Sequence, residues 1–245
     1  MKLAENYSEI VLTGIHTGRY NDNGYNLYNL LCNLIKIEKL KTIRLSSIEI
    51  NEISDDILNL MVSNTKIARH LHIPVQALSN TVLKLMKRPY SIEDYKNRVN
   101  YIRSLMPEIS ISADLIVGFP GEDEETYRNS LKELEEIKFS FLHIFPYSRK
   151  SGTRADGMDN HLDESIKKER LKEIQKIEKE YTLNYYRSFI SKKVEVHIEK
   201  NEGSKSFGYS KEYIYIEVEG NYPCGEIINV QIESVINDRV VGVCC

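Results

Sequence analysis

Over roughly the first 147 residues, short β-branched runs alternate with amphipathic stretches. Residues 9–15 (EIVLTGI) read as a buried strand followed by the turn-rich segment 17–24. Leu27, Leu30, Leu31, Leu34 and Ile35 then recur at helical spacing. Residues 42–48 form the next predicted strand, and Ser54 with Asp55 and Asp56 caps a helix carrying Ile57, Leu58 and Met61. Strands are also predicted at 69–75, 109–117 and 139–145. Between them lie a short helix over 80–87, a helix started by Ser91 and Asp94, and an acidic-started helix over 122–137.

This alternation predicts an α/β architecture, with parallel strands and right-handed crossovers. Five such units suggest an open sheet or part of a (β/α) barrel. In either case the working site lies at the carboxy-terminal strand ends. Each predicted strand exits there into small or polar residues: 13–16, 46–49, Gln76, 118–122 and 146–148. A long charged helix follows over about 163–189. Beyond Ser191 the pattern changes to short alternating runs at 194–198, 213–218, 227–232 and 239–243, which predict a small all-β barrel or sandwich. A domain boundary is placed near residue 190, giving domains 1–189 and 190–245.

The chain has 245 residues and a formal net charge of -3, which argues against a nucleic-acid binder that works by global positive charge. Local basic patches remain compatible with RNA. No apolar run approaches the roughly 20 residues of a membrane span, and the first residues lack the apolar core of a secretion signal. A cytoplasmic protein is expected. Of the four cysteines, Cys32 reads as a small buried hydrophobe. Cys244 and Cys245 match no metal or cluster spacing, and no disulfide framework emerges with Cys224.

Candidate chemistry concentrates in a few strings. In 114–122 (DLIVGFPGE) a strand enters a Gly-x-Pro-Gly turn, where backbone can approach a planar ligand and Ile116 can pack on an adenine; a tight strand-to-helix turn explains the glycines equally well. His70 and His72 share one face of a strand and read as packed residues, since spacing places no third metal ligand. Arg88 closes a short helix as a cation. In the tail, Lys192, Lys193, Lys200, Lys205 and Lys211 interleave with Phe207, Tyr209, Tyr213 and Tyr215, a pattern that suits phosphate contacts with base stacking or, alternatively, a solvated face over cross-strand pairs.

The ordered strings LTGIHTG (12–18), RLSSIE (44–49), RHLHIPVQ (69–76), LKLMKRPY (83–90), ADLIVGFPGE (113–122) and FLHIFPYSRKSGT (141–153) together resemble the radical S-adenosylmethionine tRNA methylthiotransferases. The branch that modifies threonylcarbamoyladenosine beside the anticodon is the most similar. The tail around 208–213 resembles the TRAM domain, a small RNA-binding β-barrel. The resemblance implies a partial (β/α) radical-SAM barrel of five parallel strands, lacking its first strand, followed by a TRAM barrel. It implies S-adenosylmethionine as cofactor and tRNA as partner.

For the cofactor it implies Gly14 near the methionyl amino group, Glu49 on a polar part, Gln76 and Asp114 around the ribose, and Arg88 on the methionyl carboxylate. For RNA it implies Lys192, Lys193, Lys205, Tyr209 and Lys211. The family carries two 4Fe-4S clusters, one held by three closely spaced cysteines. No Cys-x-x-x-Cys-x-x-Cys occurs in these 245 residues. The chain therefore reads as an inactive carboxy-terminal piece, whose cluster-binding amino-terminal region would be supplied in cis or as a separate chain. The family's Gln-Ser-Gly-Ser is here Gln76-Ala77-Leu78-Ser79, so either Leu78 crowds the cofactor crevice or the turn itself differs. The competing reading is an RNA-binding protein that keeps the barrel only as scaffold.

Overall fold

The computed structural model describes residues 7–245. Its strands are β1 (Glu9–Leu12), β2 (Asn21–Asp22), β3 (Tyr25–Asn26), β4 (Thr42–Leu45), β5 (His70–His72), β6 (Ser110–Val117), β7 (Phe141–Pro146), β8 (Lys193–Glu202), β9 (Lys205–Ser210), β10 (Tyr215–Glu219), β11 (Ile227–Ile236) and β12 (Arg239–Cys244). Its helices are α1 (Leu27–Leu34), α2 (Asp55–Ser63), α3 (Asn80–Leu85), α4 (Ile92–Leu105), α5 (Glu124–Ile137) and α6 (Glu164–Arg187). Among the described residues no helix is long and apolar enough to cross a membrane. The chain divides into two compact units: residues up to His72 with Leu105–Ser110 and Leu183–Cys245 form one, and Ile73–Ser104 with Ile111–Thr182 form the other.

In the first unit β1 and β4 pair in parallel, Glu9 opposite Thr42 and Leu12 opposite Leu45. On the other side of β4 the amide of Ile43 donates to the Lys66 carbonyl at 2.7 Å, and the Ala68 amide donates to the Ile43 carbonyl at 2.9 Å. All four β4 side chains are buried, as expected of a strand covered on both faces. Ser54 caps α2 by accepting from the Ile57 amide at 3.3 Å. Asn26 and Asn29 cap α1 reciprocally. The turn-rich segment after β1 folds into the small β2–β3 hairpin, with Asn23 and Gly24 both at positive φ.

The tail of this unit is a closed five-stranded barrel of order β10-β12-β11-β8-β9. Inward residues alternate along β8 (Val194, Val196, Ile198) and join Ile214, Ile216, Val218, Val230, Ile232 and Val240 in one core. β9 escaped the hydrophobic pattern because its sequence, KSFGYS, has no β-branched alternation. Its inward positions are Ser206 and Ser210, both fully buried. Small residues are needed there: a Cβ on Gly208 would lie 1.9 Å from the His197 carbonyl oxygen.

In the second unit residues 73–76 run beside β6. The Ile73 amide donates to the Ser112 carbonyl at 2.7 Å and the Gln76 amide to the Asp114 carbonyl at 2.8 Å. β6 and β7 pair in parallel from Ser112–Phe141 to Val117–Pro146. Tyr95, Val99 and Ile102 of α4 and Leu134 and Ile137 of α5 are buried. Asp123 caps α5 by accepting from the Thr126 amide at 2.7 Å.

Candidate functional site: a cavity at the strand ends of the second unit

A cavity of about 360 Å³ opens in the second unit, lined among others by Gln76, Leu85, Arg88, Ile116, Phe119 and Met158. That volume lies in the range of small-molecule sites. Two of the sequence-predicted cofactor residues, Gln76 and Arg88, meet here.

Gln76 reaches the cavity through an unusual backbone. It sits at φ 63°, in the left-handed region that an L-residue enters at a cost of about 1–2 kcal/mol. Two backbone bonds hold it there: its amide donates to Asp114, and its carbonyl accepts from the Ile116 amide at 2.9 Å. The preceding strand is pinned from below by tyrosines. Tyr95 Oη donates to the Ile73 carbonyl at 2.7 Å, and Tyr90 Oη to that of Pro74 at 3.2 Å. Ala77 and Leu78 are 2% and 3% exposed, and neither lines the cavity. Of the two alternatives for this departure, crowding by Leu78 is not seen, because its side chain is taken into the core.

Arg88 is set by the end of α3. Lys87 adopts φ 58°, its amide donates to the Lys84 carbonyl at 3.0 Å, and the Arg88 amide donates to the Leu83 carbonyl at 2.9 Å. This pair of bonds is a Schellman motif, which ends the helix and swings Arg88 out of it. Pro89 prevents any resumption. The string LKLMKRPY thus encodes a helix, its stop, a cation at the cavity wall and a tyrosine that anchors the strand under Gln76.

Asp114 lies on β6, half-buried, two residues before Ile116 and therefore on the same face of the strand. Ile116 lines the cavity and Asp114 does not. The turn after β6 owes its glycines to packing within the chain. Gly118 (φ +74°) faces Lys167, whose Cγ lies 2.6 Å from where a Cβ would be, and Gly121 (φ +91°) faces Leu85 Cδ1 at 2.7 Å. Glu122 closes the turn from inside. Its Oε1 accepts from the Gly118 amide at 2.9 Å and from Arg170 Nη1 at 2.7 Å. Arg170 also donates to the Glu122 carbonyl at 2.8 Å and stands over the Tyr127 ring at 4.5 Å. Burial pushes the Glu122 carboxyl above the ordinary range, against the pull of Arg170 and the Gly118 amide.

Sequence reasoning missed the segment that walls the cavity from the far side, Arg154, Ala155 and Met158. It is a 3-10 turn, Arg154–Gly157, capped by Thr153 and tied by an ion pair from Arg149 to Asp156. A Thr three residues before an Asp was the available signal, but no hydrophobic period accompanies it.

Gly14 and Glu49 belong to the first unit. Gly14 is exposed in the loop after β1, and its carbonyl accepts from Thr17 Oγ1 at 3.4 Å. Thr17 Oγ1 lies 3.1 Å from Ser46 Oγ, so the loops after β1 and β4 meet. Glu49 is half-buried at the start of the 3-10 turn Ile50–Glu52. Glu52 accepts from Arg19 at 2.6 Å, and Gly18 lies against the Glu52 Cβ.

The barrel lysines are mostly paired with acids. Lys192 donates to Glu108 at 2.7 Å and Lys200 to Glu202 at 2.7 Å; Lys205 pairs with Glu217 and Lys211 with Glu195. The Glu217 partner raises the pKa of Lys205. Lys193 is exposed at the start of β8. Tyr209 stacks on Tyr213 at 4.9 Å and meets Tyr215 at 4.8 Å, and Tyr213 stacks in turn on His70 at 4.4 Å.

Residues 1–134 match the family model described as the Radical SAM superfamily. A Bacillus subtilis protein described as threonylcarbamoyladenosine tRNA methylthiotransferase MtaB is 39% identical over 92% of this chain and 52% of its own length. The Aquifex aeolicus protein of that description is 40% identical over 92% of this chain and 54% of its own. A tRNA-2-methylthio-N(6)-dimethylallyladenosine synthase from Thermodesulfovibrio yellowstonii is 34% identical over 97% of this chain and 56% of its own length. The chain spans about half the length of the curated relatives it matches. Coproporphyrinogen III oxidase (HemN) of Escherichia coli shares the fold, with a TM-score of 0.54 at 16% identity over 92% of this chain and 54% of that one.

Proposed function

Since the chain belongs to the Radical SAM superfamily, we propose that it is the cofactor-and-RNA part of a tRNA methylthiotransferase. Its reaction is the methylthiolation of N6-threonylcarbamoyladenosine beside the anticodon, carried out in the cytoplasm. Residues 1–189 are the barrel part with its long helix, and 190–245 the TRAM-like RNA-binding barrel. The reading rests on relatives of this description and on one observation: Gln76 and Arg88, held by independent backbone devices, wall one cavity with Ile116 and Phe119.

The donor set of that cavity fits S-adenosylmethionine. Arg88 offers a guanidinium to a carboxylate, which it binds as a planar fork. Ile116 and Phe119 offer an apolar wall to an adenine. Gln76 offers an amide to the ribose, with Asp114 nearby on the Ile116 face. When bound, the cofactor supplies the radical chemistry, and the protein orients it and keeps water away.

A 4Fe-4S cluster needs cysteine thiolates. Cys32 is half-buried on α1, while Cys224, Cys244 and Cys245 are exposed in the tail. No group of His, Cys, Asp and Glu among the described residues is arranged to hold a metal. These residues do not fit a cluster, so this chain alone is expected to bind the cofactor without cleaving it.

Titration calorimetry tests the assignment. Arg88→Ala should weaken S-adenosylmethionine binding by about 1.5–3 kcal/mol, the worth of a charged hydrogen bond. It should leave the affinity for the decarboxylated analogue unchanged. Equal losses for both ligands, or none, would refute the role of Arg88.

A further inference from the structure

α6 sorts its charges by face. Lys167, Arg170 and Ile174 are buried, while Lys168, Lys172, Lys176 and Lys179 are all exposed. Their spacings of four, four and three residues keep them on one stripe opposite the buried side. At about 1.5 Å of rise per residue the stripe is roughly 16 Å long, with a cation about every 5–6 Å. That interval lies between one and two nucleotides of a duplex strand, at a rise of about 3.4 Å each.

Among the described residues, three of its four cations are left without a direct partner, while Lys179 is engaged in an interaction of its own and Lys168 helps lower the pKa of Glu164. Lys168, Lys172 and Lys176 make no hydrogen bond or ion pair among the described residues. Several of the helix's glutamates are occupied elsewhere: Glu164 by Lys167, Glu173 by Tyr127 and Arg128, and Glu178 by Thr182. Glu169 and Glu180 follow Lys168 and Lys179 by one residue and so flank the stripe along one edge. Like charges four residues apart weaken a helix. Such a surface gains from a partner that carries regularly spaced negative charge. The contrast with the barrel is direct, because Lys192, Lys200, Lys205 and Lys211 each already have a carboxylate.

We propose that the Lys168–Lys172–Lys176–Lys179 stripe of α6 seats the phosphate backbone of the RNA. The proposal rests on the reading of this protein as a tRNA-modifying one, and it moves the main electrostatic contact from the barrel to the helix. Such contacts carry affinity and register rather than base identity.

The test is binding of unmodified tRNA to the 245-residue chain between 50 and 200 mM salt. Two sets of variants are compared at the four positions, all Lys→Gln and all Lys→Arg. Glutamine is about as good a helix former as lysine, so the fold should survive. The single variant Lys172→Glu provides a second, minimal perturbation. The slope of log affinity against log salt should flatten by roughly 3 in the Gln set, at about one per phosphate contact. The Arg set should bind as the parent does, and Lys172→Glu should weaken binding at low salt. If parent and Gln set bind tRNA alike, the stripe is overturned while the tRNA reading stands. If the parent chain binds no tRNA, both fall. If the Gln set loses binding only to phosphatidylglycerol vesicles, the surface belongs to a membrane and the proposal is wrong.

Discussion

Removing Arg170 should be among the most damaging single changes in the second unit. The side chains of Arg170 and Glu122 are 5% and 6% exposed and meet at 2.7 Å. Arg170→Ala removes the bond to the Glu122 carboxylate, the bond to its carbonyl and the contact over Tyr127. It leaves a carboxylate in the core with only the Gly118 amide. Breaking a buried pair in this way costs about 3–5 kcal/mol, which lowers the melting temperature by on the order of 10 °C. The loss should depend on pH. Burial already holds the folded-state pKa of Glu122 above its ordinary value, and without Arg170 it rises further. An acid with a raised folded pKa favours the fold while protonated, and loses that contribution as pH rises through the folded value. The penalty should therefore be full at pH 8 and smaller at pH 5. Urea denaturation of parent and variant at both pH values measures it. A penalty under about 1 kcal/mol at pH 8, or one that does not change with pH, would refute Glu122 as a buried carboxylate depending on Arg170.

Other expected outcomes concern the backbone devices around the cavity and the barrel. Lys87→Gly should stabilise the chain by about 1 kcal/mol, because glycine meets no Cβ penalty at φ 58°; thermal melts check this. Tyr95→Phe should cost about 1 kcal/mol through the lost bond to the Ile73 carbonyl, read by urea denaturation. Gly208→Ala should destabilise the barrel by about 3 kcal/mol or more, since its Cβ would lie 1.9 Å from the His197 oxygen. Amide exchange should then quicken in β8 and β9.

The alternation of strands and helices was legible because local patterning carried it. Examples are the β-branched start of β4, the Ser54 cap, the acidic first turn of α5, and the switch to period two at β8. β9 was not legible, because its identity lies in what must be absent. Ser206, Gly208 and Ser210 are small where the barrel wall is crowded, and smallness has no period. Predicted strands also ran past their regular ladders: in 42–48 the parallel register with β1 covers Thr42–Leu45, beyond which single amide bonds from Ser46 to Leu12 and from Ile48 to His72 remain.

For the site, Arg88 and Gln76 could be named from motif strings. Their placement depends on two left-handed residues, Lys87 and Gln76, which are neither glycine nor asparagine and so give no signal. The glycines at 118 and 121 were read either as room for a planar ligand or as a tight strand-to-helix turn, and both do stand at positive φ. They prove to be room for Lys167 and Leu85, contacts distant in sequence that no local pattern reveals.

The central claim is that S-adenosylmethionine enters the cavity walled by Gln76, Arg88, Ile116 and Met158. Methyl-labelled NMR of the 245-residue chain, titrated with S-adenosylmethionine, tests it most directly. The methyl resonances of Ile116 and Met158 should shift on binding, and the Arg88→Ala variant should lose those shifts. Shifts confined to Val240 of β12 in the tail barrel, or none at all, would contradict it.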